Sequence, residues 1–242
     1  MANFIKDSKV LVVGGSSGIG RATALLFARE GARVMVAARR EDRLLGLQEQ
    51  LREEGFSIDI SVADVSNPEA MERLAQQALA KFGNVDTLVY ATGTNTPDRA
   101  MSRLNVATWD MMLSVNLSGA YYITHALLPS MRQAQNGHLI YISSISGVLG
   151  DASGASYQAA KRGLLGLAHA TRLEEKENNI RTCVVCPGLV DTELMEKRPV
   201  KPSAETLQKA LQPEDVAAMV LAVAQLPPRA VVPELQILPA TL

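Results

Sequence analysis

The sequence predicts a single α/β domain in which a doubly wound parallel sheet of about seven strands carries helices on both faces. Three observations lead there. Short apolar, β-branched runs recur along the chain and alternate with longer stretches of helical apolar spacing. The first of these runs opens directly into a glycine-rich turn and then a helix. No repeat or low-complexity linker divides the 242 residues, a length that one such domain can fill.

The elements follow in order. Residues 10–13 form an apolar run suited to a strand buried on both faces. Gly14-Gly-Ser-Ser-Gly18-Ile-Gly20 comes next, and 21–31 has helical spacing that stops at a glycine. Strands are expected at 33–38 and 57–62, helices at about 41–54 and 68–82, and a fourth strand at 85–90. The stretch 104–131 reads as mostly helical, in two pieces around 116–119. A strand at 137–142, a helix at about 154–176 and a strand at 180–186 follow. The last helix is expected at 213–225 and an edge strand at 230–235, where Pro233 is tolerated. The polar, proline-bearing stretch 199–204 reads as loop.

Composition narrows the function. With 24 basic and 25 acidic residues the formal charge is −1, so no global field favours nucleic acid or an anionic membrane. No apolar run is long enough to span a bilayer, and the first residues lack a secretory core, so a soluble, cytoplasmic protein is expected. Cys183 and Cys186 have the spacing of a redox or zinc pair. They lie in a strand, however, where side chains three apart point to opposite faces, so core packing is expected. The scattered His125, His138 and His169 predict no metal site.

In a sheet of this kind ligands bind beyond the carboxyl ends of the strands. Gly14 to Gly20, Arg39, Gly93, Ser144 and Pro187-Gly188 all follow strands, and so converge on one cleft. Glycines let backbone approach a pyrophosphate, and unpaired amides at a helix start face it. Tyr157 and Lys161, four apart on a helix, share a face. An ammonium within reach would favour the phenolate and make Tyr157 an acid/base near neutrality. Ser144, at a strand end, could polarise a carbonyl oxygen for that proton.

These residues, in this order, resemble the short-chain dehydrogenase/reductase family over nearly the whole chain, which implies a Rossmann-like fold. The family's glycine loop matches Gly14, Gly18 and Gly20, with Val13 where a threonine is usual. The resemblance implies catalytic roles for Asn116, Ser144, Tyr157 and Lys161. Lys161 would also bind the nicotinamide ribose, and Asn116 would hold a water linking Lys161 to solvent. It further implies cofactor contacts from Gly14, Ser16, Ser17, Gly18, Ile19, Gly20, Asp64, Val65, Gly93, Pro187, Gly188, Val190 and Thr192. The family's Asn-Asn-Ala-Gly turn is here Tyr90-Ala91-Thr92-Gly93, and Thr92 is expected to restore the bridge that Val13 cannot make. A homo-oligomer through helices 104–131 and 154–176, and a substrate loop at about 189–212, are also implied.

An NAD site usually carries a carboxylate at the end of the second strand. Ala38 stands there, followed by Arg39 and Arg40, which can pair with a 2′-phosphate. NADP(H) is therefore expected over NAD(H). The expected reaction is hydride transfer between the nicotinamide and a carbonyl or alcohol carbon of a small molecule. The alternative is a catalytically silent nucleotide-binding regulator or scaffold.

Overall fold

The computed structural model describes residues 5–241. Seven strands form one sheet: β1 (Lys9–Val13), β2 (Arg33–Ala38), β3 (Ile58–Val62), β4 (Thr87–Tyr90), β5 (Gly137–Ile142), β6 (Ile180–Pro187) and β7 (Glu234–Ile237). All neighbours are parallel, in the order β3-β2-β1-β4-β5-β6-β7. The order reverses between β1 and β4, which opens a crevice at their carboxyl ends. The helices are α1 (Gly18–Arg29), α2 (Glu41–Glu53), α3 (Pro68–Phe82), α4 (Val106–Leu113), α5 (Gly119–Ala134), α6 (Ala155–Glu175), α7 (Ala204–Lys209) and α8 (Pro213–Ala224).

Strand alternation builds two cores, one on each face of the sheet. Val10, Val12, Val34 and Val36 face one way and pack with Phe27 of α1, Leu47 of α2 and Val220 of α8. Leu11, Val13, Met35 and Leu88 face the other way and pack with Leu74 of α3, Leu127 of α5 and Leu164 of α6. Both faces are covered, which is why the strands read as unbroken apolar runs. Cys183 lies in the first core and Cys186 in the second, both as free thiols. Burial pushes them up to about 12 and about 11, so both stay protonated packing residues as expected. Among the described residues no helix is long and apolar enough to cross a membrane.

Three elements depart from expectation. The stretch 104–131 falls into two α-helices as expected, but α4 and α5 are joined by a π-helical turn at Ser114–Ser118 and not by a break. The wider turn leaves the Val115 carbonyl to accept a hydrogen bond from Tyr90 Oη at 2.7 Å. At Gly119 a Cβ would come within 2.5 Å of that same phenol oxygen, so only glycine lets the helix pass. The edge strand begins at Glu234 rather than 230. Arg181 holds the Leu226, Pro227 and Ala230 carbonyls in a turn, and pairing starts only after Pro233. Finally α7 was not foreseen. It is a short helix inside the expected loop, started by Ser203 accepting from Thr206 N at 3.1 Å.

His138, on β5, has both ring nitrogens buried without a hydrogen-bond partner. Burial, with Arg181 nearby, pushes it down to about 3. The native ring therefore stays neutral, while the unfolded chain takes up a proton below about 6.5. Stability should be lost as pH falls from 6.5 towards 3, by up to about 1.4 kcal/mol per pH unit from this residue. Urea unfolding at pH 7 and pH 5 should show a smaller loss for His138→Leu than for the native chain. An equal loss would contradict this.

Candidate active site

The first loop is shaped for close backbone approach. Gly14 has φ 96°, and a Cβ there would lie 2.6 Å from Thr92 N. A Cβ at Gly20 would lie 2.3 Å from Gly14 O, so Gly20 permits the turn to close on itself. The helix start after Ser17 has no side-chain cap and no acidic residue in its first turn. Its amides are left for an anion. A cleft of about 380 Å³ opens beside them, at the carboxyl ends of the strands.

Gly14, Ser16, Ser17, Gly18 and Ile19 line this cleft from the first loop, and Arg39 and Arg40 from the second. Asp64 and Val65 line it after β3, Gly93 after β4, and Pro187, Gly188, Val190 and Thr192 after β6. Ser144, Tyr157 and Lys161 complete the wall. All three are nine-tenths or more buried. Of the expected site residues, Gly20 and Asn116 do not line the cleft.

The end of β5 and the first half of α6 are stitched together. Ser143 Oγ donates to the Lys161 carbonyl at 2.8 Å, and Lys161 Nζ donates to the Ile142 carbonyl at 2.8 Å. Arg162 donates to the Gly147 and Val148 carbonyls at 3.0 and 2.6 Å. A Cβ at Gly147 would sit 2.9 Å from the Lys161 carbonyl oxygen, so the contact is backbone on backbone. Ser144 Oγ donates to Ser146 Oγ at 3.2 Å, and Ser146 Oγ donates to Asp151 Oδ2 at 2.5 Å. This relay fixes the hydroxyl that faces Tyr157.

Burial dominates the titration of the pair. It pushes the Tyr157 phenol up to about 12, and the Ser144 hydrogen bond only partly offsets this. It lowers Lys161 to about 8. The ammonium lies 5.7 Å from the Tyr157 ring centroid and is turned to the Ile142 carbonyl. The expected depression of the tyrosine by the lysine is therefore not what this geometry gives: the phenol keeps its proton at neutral pH.

Asn116 is fully buried in the π turn. Its Oδ1 accepts from Thr94 N at 2.9 Å, and its Nδ2 donates to the Thr94 and Met112 carbonyls at 3.1 and 2.9 Å. Instead of facing the cleft, it clamps the loop after β4 to the helix. The Thr92 expectation also fails. Its hydroxyl is buried and makes no bridge across to β1; its polar neighbour is the Tyr90 phenol. Thr92 lines the cleft with its hydroxyl oxygen shielded from the open space.

A family model described as short chain dehydrogenase matches residues 8–202. The chain belongs to the short-chain dehydrogenase family. It is an NAD(P)-dependent oxidoreductase of that family. The 3-oxoacyl-(acyl-carrier-protein) reductase FabG of Thermotoga maritima is 32% identical over 216 residues, 87% of each chain. Among solved structures, an actinorhodin polyketide ketoreductase variant with NADPH is 29% identical at a TM-score of 0.89, covering 99% of this chain and 98% of that one. A metagenomic short-chain oxidoreductase with NADP is 29% identical at 0.85, covering 98% and 99%.

Two residues of this dehydrogenase cleft, Ser146 and Arg99, are not singled out by the sequence, and Glu193 and Arg198 fall within the expected substrate loop at 189–212 without an assigned role. Ser146 and Asp151 fix Ser144, Glu193 meets Arg40, and Arg99 and Arg198 line the cleft. The local signal for Ser146 and Arg99 is only that they sit in loops following strands. In Asn116→Ala the buried Thr94 amide and Met112 carbonyl lose their partner. The variant should be about 1–3 kcal/mol less stable in urea unfolding. Unchanged stability would show that the clamp is not formed.

Proposed function

We propose that this dehydrogenase uses NADP(H) to interconvert a carbonyl and a secondary alcohol, with Tyr157 holding the transferred proton. The observation that carries the reading is the shared wall of one cleft by Ser144, Tyr157 and Lys161, beside an uncapped helix start. The residues fit a dinucleotide. The glycine loop closes tightly on itself and on Thr92, and the helix start after Ser17 has neither a side-chain cap nor an acidic residue to compete with a phosphate. When bound, the nicotinamide supplies the hydride.

The chain's own residues do the rest. Ser144, positioned beside Ser146, would turn its O–H from Ser146 and donate it to the substrate carbonyl oxygen. Tyr157 keeps its phenol protonated at neutral pH, which suits it to donate as a carbonyl is reduced; help of this kind is worth roughly 10²–10⁴-fold. Lys161 has donors left beyond its bond to Ile142 and would hold the ribose hydroxyls. Asn116 serves as a positioning residue, fixing the loop that carries Gly93. The activities named for the Thermotoga reductase and the actinorhodin ketoreductase support carbonyl reduction. A homo-oligomer through α5 and α6 belongs to the same reading, and Tyr121 and Leu173 are exposed on those helices.

The cofactor preference rests on the end of β2. Ala38 offers no carboxylate, and Arg39, two-thirds exposed, lies 3.8 Å from Asp64. Arg40 donates to Ser16 Oγ at 3.1 Å, to Ser17 Oγ at 2.7 Å and to Glu193 Oε2 at 2.7 Å. The Arg40 guanidinium beside Glu193 holds that carboxyl below its usual range, so it is charged at neutral pH. A 2′-phosphate at Ser16 would compete with Glu193 for Arg40.

NADPH absorbance followed with simple ketones and 3-oxo esters should show turnover faster than with NADH. Arg39→Ala and Arg40→Ala should weaken NADPH by roughly 10- to 100-fold and leave NADH little changed. Glu193→Gln should tighten NADPH. Equal losses for both cofactors would contradict the preference, and no turnover of any carbonyl would contradict the activity.

A further inference from the structure

From Arg99 and Arg198 lining the same cleft as Tyr157, we infer that the substrate carries an anionic group, a carboxylate or phosphate, close to its reacting carbonyl. The inference rests on the dehydrogenase reading above and names the substrate class for that site.

The two arginines come from different loops. Arg99 follows β4, and its position is set by Gly154, where a Cβ would lie 2.7 Å from Arg99 Cβ and 2.9 Å from its carbonyl oxygen. Gly154 has φ 98° and immediately precedes α6, three residues before Tyr157. Arg198 rides on the loop after β6. That loop closes at its base, where Asp191 N donates to Leu211 O at 2.8 Å and Leu211 N donates to Leu189 O at 3.0 Å. It docks across the cleft through Lys197 Nζ, which donates to Thr94 Oγ1 at 2.7 Å. Both arginines line the same cavity as Ser144 and Tyr157.

Neither guanidinium is a solvated surface group, since both residues are half-buried. Among the described residues neither side chain has a hydrogen-bonded or ion-paired partner. Burial, and then the charge of Arg198, lower Arg99 from its usual range. Asp151 is a charged carboxylate that attracts both arginines without forming an ion pair with either, since its oxygens are taken by Ser146 Oγ and by Ser153 N and Oγ. The nearby acids of the loop are also taken: Glu193 by Arg40 and Arg43, and Glu196 by Lys201. Two guanidinium charges against one carboxylate leave this half-buried group with an excess positive charge, which a further anion would offset. Two planar guanidinium forks suit a carboxylate or phosphate bound through paired, charge-assisted hydrogen bonds.

The test compares matched pairs: acetoacetate against its methyl ester, and dihydroxyacetone phosphate against dihydroxyacetone. Each is assayed for reduction with NADPH and titrated calorimetrically into the enzyme loaded with NADP+. At least one anion should bind and react roughly 10- to 100-fold better than its neutral partner. Which pair shows the gap identifies carboxylate or phosphate. The ratio should fall towards one in Arg99→Gln and in Arg198→Gln. It should stay native in Arg103→Gln, which alters an exposed arginine of the same loop. Neutral and anionic compounds bound alike, or a preference that survives both substitutions, would overturn the inference. If the neutral carbonyls are reduced without any anion preference, the dehydrogenase reading stands and only the substrate class falls. If no carbonyl consumes NADPH, that reading fails, and the calorimetric ratios still decide whether the arginines hold an anion.

Discussion

The active site depends on a buried ammonium bound to the end of a strand. Lys161 is almost wholly buried, and its nitrogen donates to the Ile142 carbonyl, where β5 ends. Burying a cation is costly unless hydrogen bonds satisfy it, and the fall of Lys161 to about 8 records that cost. The bond is not isolated. The lysine's own carbonyl accepts from Ser143, and the next residue, Arg162, holds the loop that follows. Ser144 sits between these contacts and Tyr157 one helical turn before them. The hydroxyl and the phenol therefore face each other because strand and helix cannot shift independently.

Around this clamp the charges of the cleft are divided between two sets. In one, Arg40 bridges the glycine loop to Glu193, joining the first and last walls of the cleft. Elsewhere on its wall stand Arg99 and Arg198, two guanidinium groups with Asp151 as the one carboxylate acting on both. Tyr157 lies deep enough in the same cleft that burial outweighs every nearby charge. The same loop after β6 supplies both Glu193 and Arg198. Its placement by Lys197 on Thr94 thus bears on cofactor and substrate together.

Most of the fold was legible because its signals are local. Strands buried on both faces give unbroken apolar runs, and their ends proved correct to within a residue or two for β1 to β6. What failed depends on distant partners. The π turn is set by Tyr90 reaching the Val115 carbonyl, and the late start of β7 by Arg181 holding a turn. The site shows the same division. Ser144, Tyr157 and Lys161 stand at a spacing that strand and helix geometry make meaningful, and the fold brings them to one wall. The opposing effect of burial on Tyr157 and Lys161, the burial of the Thr92 hydroxyl beside Tyr90 and the inward clamp of Asn116 depend on packing that no spacing reveals. Arg99, Arg198 and Glu193 come from loops that meet only once the sheet has formed.

The most direct test of the central claim is isotope transfer with NADPH deuterated at nicotinamide C4 and a 3-oxo ester as acceptor. Mass spectrometry should find the label on the product's carbinol carbon with the native chain. Tyr157→Phe should still bind NADPH but form the labelled alcohol at least about 100-fold more slowly. Labelled alcohol formed at the native rate by Tyr157→Phe, or no label transferred by the native chain to any carbonyl, would contradict a proton-donating phenol held opposite Ser144.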